Sequence, residues 1–209
     1  MNAGLSNLAT LKAHVLAAGL AASTDYDTVL TALGRGVAGR MERHCNRFFL
    51  RTVDTIFETD AEHSHLLLPR APIEAIESVE QRDSVGAGWI DITENIQNRA
   101  DQIGLLHFGG ILGSHLARVR VTYTGGYWWE TLEPDDDDYP TTQPDGSTAL
   151  PSDLQFAWLL QCERVWDAKD KHGLNISAEK PDPSSALSTL ELVPEVKSLL
   201  NAYIRYAIT

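Results

Sequence analysis

Basic residues are scarce in this chain: 17 Lys and Arg stand against 29 Asp and Glu over 209 residues, a net charge of -12. A tight nucleic-acid binder needs clustered Lys and Arg to displace phosphate counterions, so the balance argues against that class and any contact with DNA is expected to be loose. Cysteine is scarcer still, with Cys45 and Cys162 far apart in sequence. Both fall on apolar helical faces, where Cys behaves as a small buried hydrophobe, which favours a reduced pair over a disulfide. No run approaches the roughly 20 continuous apolar residues of a membrane span, and MNAGLSNLATLKAHVLAAGL interrupts its apolar residues with polar ones. A cytosolic product with no membrane partner is the expectation. CxxC, HxxxH and HExxH are absent, so no zinc spacing is present, and no internal repeat is found.

What is there suits a folded domain, or one domain with a small appendage: 43% of residues are hydrophobic and 22% charged. A first helix is expected from Ser6 as N-cap, carrying Leu8, Leu11, Val15 and Leu16 up to Gly19. A second starts at Thr24-Asp25 and repeats Tyr26, Val29, Leu30, Leu33, Val37, Met41 and Cys45 at close to 3.6-residue spacing. From Phe48 the texture becomes alternating and β-branched (FFLRTVDTIFET, HLLLP, ESVEQRD, GWIDIT, IGLLHF, RVRVTYTGG), which predicts a small antiparallel sheet or sandwich over roughly 49–124. The stretch after Trp129 holds Glu130, Glu133, Asp135, Asp136, Asp137, Asp138 and Asp145 with no basic residue, and reads as an exposed acidic loop. Helical periodicity resumes at Pro151-Ser152, with Ser152 and Gln155 spaced as a capping box, and Leu154, Trp158, Gln161, Cys162, Val165 and Trp166 on one face up to Gly173. A polar linker then leads to an amphipathic helix from Pro194.

The fold class expected is therefore α+β, a helical bundle with an inserted small antiparallel β region and a C-terminal helical arm. Its parts are 1–48 (first helices), 49–124 (β insert), 125–150 (acidic loop), 151–173 (core helix) and 174–209 (linker and arm).

Candidate chemistry is thin. Gly34, Gly36 and Gly39 match GxGxxG, and Asp54 lies near the distance of a ribose-binding acid. A dinucleotide site, however, needs a strand before the first glycine, whereas TDYDTVLTAL is itself helical. The small-residue face suits close helix packing instead, within the chain or between neighbouring copies. His63 and His65 share a strand face without a third ligand, and Ser114 beside His115 lacks the nucleophile elbow. The run Asp135 to Asp138 lacks the alternation of a calcium loop. Tyr127, Trp128 and Trp129 read equally as a core plug or an interface anchor. No catalytic residue, metal or cofactor is expected, and a structural role outweighs an enzymatic one.

The order of the pieces is informative: a helix, a longer helix ending in HCNRFF, the run Leu68-Pro69-Arg70-Ala71-Pro72-Ile73 to Ser78-Val79, the corner Thr124-Gly125-Gly126-Tyr127, LPSDLQFAWLLQCERVW, and a closing helix from Pro194 to Tyr206. Over almost the whole chain this resembles the head-tail connector (adaptor, or head-completion) proteins of long-tailed double-stranded DNA bacteriophages and gene transfer agents. The resemblance implies a virion neck protein made in the bacterial host cytoplasm. It implies a homo-oligomeric ring, commonly of twelve copies, docked under the portal protein, receiving a stopper or tail-completion protein and passing double-stranded DNA through its channel. The acidic insert at 130–148 and the developed β region depart from the simplest members. The alternatives are another neck or tail-completion protein, or a hydrolase or nuclease using scattered Asp and His. Within the connector frame the arm would bind portal through Pro194, Val196, Leu199, Leu200, Tyr203, Ile204 and Tyr206, and truncation after Leu192 is expected to leave the core folded. Glu133, Asp135, Asp136, Asp137 and Asp138 would act on a basic neck partner or on the channel field.

Overall fold

A computed structural model describes residues 3–16, 20–84, 86–113, 117–130, 142–168 and 191–206. Five expected features lie wholly or largely outside them: the end of the first helix at Gly19, the acids Glu133 and Asp135 to Asp138, the pair Ser114-His115, the end of the third helix at Gly173, and the linker up to residue 190. The class is α+β, divided into two compact units. The first takes the described residues of Met1–Cys45, Trp129–Gln143 and Leu150–Ile204; the second takes those of Asn46–Trp128, Pro144–Ala149 and Arg205–Thr209.

The first unit is helical: α1 (Leu8–Val15), α2 (Asp27–Cys45), α3 (Ser152–Asp167) and α4 (Pro194–Leu200), with α1, α2 and α4 all packed on α3. α3 can serve three neighbours because Leu154, Ala157, Trp158, Gln161, Cys162, Val165 and Trp166 are all buried along it. The cap of α1 is Asn7, whose Oδ1 accepts from Thr10 N at 2.8 Å, and not Ser6. Ser6 is buried, and its hydroxyl accepts from Gln155 Nε2 at 3.0 Å. That bond also undoes the expected capping box, since Gln155 is turned to Ser6 and Ser152 is already the first helical residue behind Pro151. α2 begins at Asp27, after a turn in which Asp27 N donates to Thr24 O. Lys12 is nearly buried and closes this corner, its Nζ reaching Asp27 Oδ1 at 2.6 Å and Ser23 O at 2.5 Å.

The second unit pairs β1 (Thr52–Asp60), β3 (Ile73–Arg82), β4 (Ile90–Asp91) and β7 (Arg118–Gly125) in an antiparallel sheet of order β1-β7-β3-β4. β2 (His65–Leu67), β6 (Leu105–Phe108) and β5 (Ile96–Ala100) form a second sheet of order β2-β6-β5. Their apolar faces share one core, with Leu66, Leu68, Ile73, Val79, Leu106, Phe108, Val119, Val121 and Tyr123 buried together. β7 shows the reason plainly: Val119, Val121 and Tyr123 alternate inward while Arg118, Arg120 and Thr122 alternate outward. Outside, Arg118 pairs with Asp60, Arg120 with Glu80 and Arg82 with Glu58, so the outer face is neutralised by its own ladder. A short parallel pair, β8 (Tyr127–Trp128) with β9 (Thr148–Ala149), completes the unit.

Candidate functional site

Three of the segments that carry the resemblance meet in the second unit: the chain from Asn46 to Phe49, the run from Leu68 to Ile73, and the corner from Thr124 to Tyr127. Gly126 adopts φ 102°, a left-handed conformation open to glycine, and its N–H donates to Pro72 O at 2.8 Å. A Cβ there would stand 2.6 Å from Leu50 O, so the chain from the second helix crosses the corner in contact with its backbone. Tyr127 N donates to Phe49 O at 2.7 Å, and Arg51 N donates to Tyr127 O at 2.9 Å. Tyr123 Oη accepts from Arg70 N at 3.0 Å. Burial raises the Tyr123 phenol above its ordinary value of 10.0, against the opposing pull of the Arg70 N–H and of the Arg70 and Arg205 charges.

Four arginines bind this junction together. Arg51 makes a bidentate, largely buried ion pair with Glu74, Nε to Oε2 at 2.6 Å and Nη2 to Oε1 at 2.8 Å. Arg70 Nη1 donates to Leu50 O at 2.5 Å, with its guanidinium 4.9 Å from the centre of the half-exposed Phe48 ring. Arg47 donates to Ala71 O and lies 5.6 Å from the Phe49 ring centre and 5.5 Å from that of Tyr127. Arg205 donates to Leu67 O at 2.6 Å, tying the end of the described chain to β2. Burial lowers Arg205 from its ordinary range, partly offset by Tyr123 and reinforced by the Arg47 charge. Sequence reasoning missed this cluster, because its members lie at 47, 51, 70 and 205; an arginine inside each of three motif segments was the available signal.

The arm residues divide by burial. Val196 and Leu200 are fully buried, and Leu192 nearly so, with α4 packed on α3. Gln161, 1% exposed, fastens the segment before α4: its Nε2 donates to Glu191 O at 3.1 Å and its Oε1 accepts from Val193 N at 2.9 Å. Val196 and Leu200 both pack in the core of the helical unit. Leu199, Tyr203 and Ile204 are half-buried, while Pro194 and Tyr206 are exposed, Tyr206 by 72%. Tyr203 Oη donates to Asp153 Oδ1 at 2.6 Å.

The remaining candidates separate cleanly. Gly34 is a close-packing site, where a Cβ would meet Ala3 O at 2.1 Å and Trp158 Cζ2 at 2.9 Å, while Gly36 and Gly39 face open space. Gly34 O accepts from Trp158 Nε1 at 2.9 Å, so the glycine run is helix throughout. His63 and His65 stack at 5.6 Å, and His65 lies opposite His107 in the ladder. Among the described residues no group of three His, Cys, Asp or Glu could hold a metal ion. Cys45 and Cys162 are buried thiols outside any disulfide, and burial pushes the Cys162 thiol up. Tyr127 and Trp129 are buried and Trp128 is half-buried, which makes the first two core residues. Among the described residues, no helix is long and apolar enough to cross a membrane.

No family model and no curated protein matches the chain. Solved structures do match in fold. A chain from the neck of an empty gene transfer agent particle, computed with C6 symmetry, superposes with TM-score 0.58 at 15% identity, covering 97% of this chain and 90% of that one. A chain of the native gene transfer agent virion gives 0.59 at 14% identity, with the same coverage. A chain from the neck of the native particle computed with C12 symmetry gives 0.50 at 13% identity, again covering 97% and 90%.

Proposed function

We propose that this chain is a structural protein of a virion neck, a head-tail connector that forms a homo-oligomeric ring under the portal and receives the stopper or tail-completion protein. The reading rests on one observation above others: the agreement in fold spans 97% of this chain and 90% of chains drawn from gene transfer agent neck and virion assemblies. At 13–15% identity it is the path of the chain, not the side chains, that agrees. The rest is consistent with that role. The chain is acidic overall, which suits a channel wall that does not grip phosphate.

In this reading Pro194, Leu199, Tyr203, Ile204 and Tyr206 supply the portal contact, while Val196 and Leu200 hold their helix in place. Glu133 and Asp135 to Asp138 steer a basic neck partner, so changing the four aspartates to asparagine slows tail attachment at low salt and leaves portal binding intact. The direct test is genetic. Particles assembled without this chain should package DNA yet remain tailless, and purified protein added back should restore tails; tailed particles formed in its absence would overturn the proposal.

A further inference from the structure

An open groove of about 600 Å³ runs along α2 where it lies beside α3, floored by Val29, Leu33, Gly36 and Val165 and edged at one end by Arg40 and Arg43. Three observations set it apart from ordinary surface. The lining residues of α2 recur at 29, 33, 36, 40 and 43, one stripe of about four turns, yet Val29 and Gly36 are exposed, so the stripe faces outward. A Cβ built on Gly36 meets nothing within 4 Å, which removes any packing reason inside the chain for a glycine that weakens the helix. Neither Arg40 nor Arg43 has an ion-pair partner among the described residues, and Arg40 Nη1 is buried without a hydrogen bond, in a chain with 29 acids.

We infer that this groove seats a second copy of the same chain, and that the seated surface is the opposite face of α3. That face carries Asp153, Phe156, Leu160, Glu163 and Asp167 at spacings of three and four, with Phe156 53% exposed. Phe156 and Val165 are nine residues apart, which at about 100° per residue sets them half a turn apart around α3. One side of the helical unit is therefore an apolar trough ending in two guanidinium groups that have no ion-pair partner among the described residues. The other side is an aromatic ridge flanked by carboxylates, of which Asp167 is exposed, while Asp153 accepts from Tyr203 Oη at 2.6 Å and Glu163 lies 3.3 Å from His14 Nε2. Their charges and shapes complement each other, and because the two surfaces differ the contact is head-to-tail, the kind that closes into rings. The inference rests on the ring reading above and names its subunit contact.

Mixing variants of the full chain tests this. Gly36→Phe fills the trough and improves helix propensity, and Phe156→Asp removes the ridge; Gly36→Phe should melt at or above the wild-type midpoint and Phe156→Asp close to it. Sedimentation velocity and mass photometry, with and without portal, should show wild-type rings and at least a tenfold weaker self-association for each variant alone. Mixed together, the two variants should form dimers and stop there, since each retains one intact surface. Arg40→Glu with Arg43→Glu is the second route to the same loss. Rings formed by Gly36→Phe or Phe156→Asp as readily as by wild type overturn the proposal while leaving the neck reading standing. Variants that keep their rings but lose portal assign the trough to the portal and also overturn it. Wild type that stays monomeric even on portal sinks the ring reading itself and this contact with it.

Discussion

Removing the chain after Leu192 should unfold the helical unit rather than merely detach an arm. The cut deletes Val196 and Leu200, both fully buried. Burying a side chain of this size stabilises by about 1.5–3 kcal/mol, so the pair accounts for about 3–6 kcal/mol as an upper estimate. Val193 N, which donates to Gln161 Oε1 at 2.9 Å, is lost with them, leaving an amide oxygen on a side chain that is 1% exposed. Against a total stability of about 5–15 kcal/mol, the loss is of the same order as the whole. The assay is thermal melting followed by tryptophan fluorescence, because Trp158 and Trp166 sit buried on α3. At roughly 2–4 °C per kcal/mol the midpoint should fall by roughly 6–24 °C, or the cooperative transition should vanish. Tyr206→Ala is the control: at 72% exposure it should leave the midpoint unchanged and weaken portal capture. A truncated protein melting like the full chain refutes the reasoning, and returns α4 to the status of a detachable arm.

Gly34→Ala and Gly36→Ala should move stability in opposite directions, down by about 1–3 kcal/mol where a Cβ meets Ala3 O at 2.1 Å and up by as much as about 1 kcal/mol where it meets nothing; equal shifts in urea midpoints would contradict the packing assigned to Gly34. Gln161→Leu should cost about 1–3 kcal/mol by orphaning Val193 N and Glu191 O, and speed proteolysis in the segment before α4; unchanged cleavage kinetics would show that the amide does not hold that segment. Glu74→Gln should destabilise the β unit by about 3–5 kcal/mol, because Arg51 would keep a buried charge without its counter-ion; a change under 1 kcal/mol in chemical denaturation would place this pair with surface ion pairs. Tyr123 is raised in the folded state, so its contribution is full below its ordinary value of 10.0 and is lost as pH rises through the raised value. Stability should therefore drop on the alkaline side, and Tyr123→Phe should flatten that drop; an unchanged alkaline slope in the variant would remove Tyr123 as its source.

Periodicity made the long elements legible. The repeat through Leu30, Val37, Met41 and Cys45 marks a helix of 19 residues, and alternation through Val119, Val121 and Tyr123 marks β7. What escaped it was decided by partners distant in sequence. β5 is exposed over four of its five residues, so it carries no alternation to read and exists through its pairing with β6. The parallel pair of β8 and β9 joins residues about 20 apart, across a segment whose composition signals only acidity. Ser6 looked like a cap by residue type, yet Asn7 sits where the first turn needs an acceptor, and Ser6 answers to Gln155, 149 residues away. The same holds for the site. Val196 and Leu200 were rightly placed on one helix face, but amphipathicity does not say whether that face meets α3 or a partner. The exposed trough on α2 was hidden because Val29 and Leu33 fit the same 3.6-residue count as the buried Leu30 and Val37.

The central claim is that copies of this chain close into a ring on a portal, and imaging tests it most directly. Purified full-length protein mixed with purified portal and viewed by electron microscopy should show an added ring of density coaxial with the portal channel, with class averages of the same rotational symmetry as the portal. Bare portal rings beside dispersed protein, at a several-fold molar excess of this chain and across a salt series, would contradict the account.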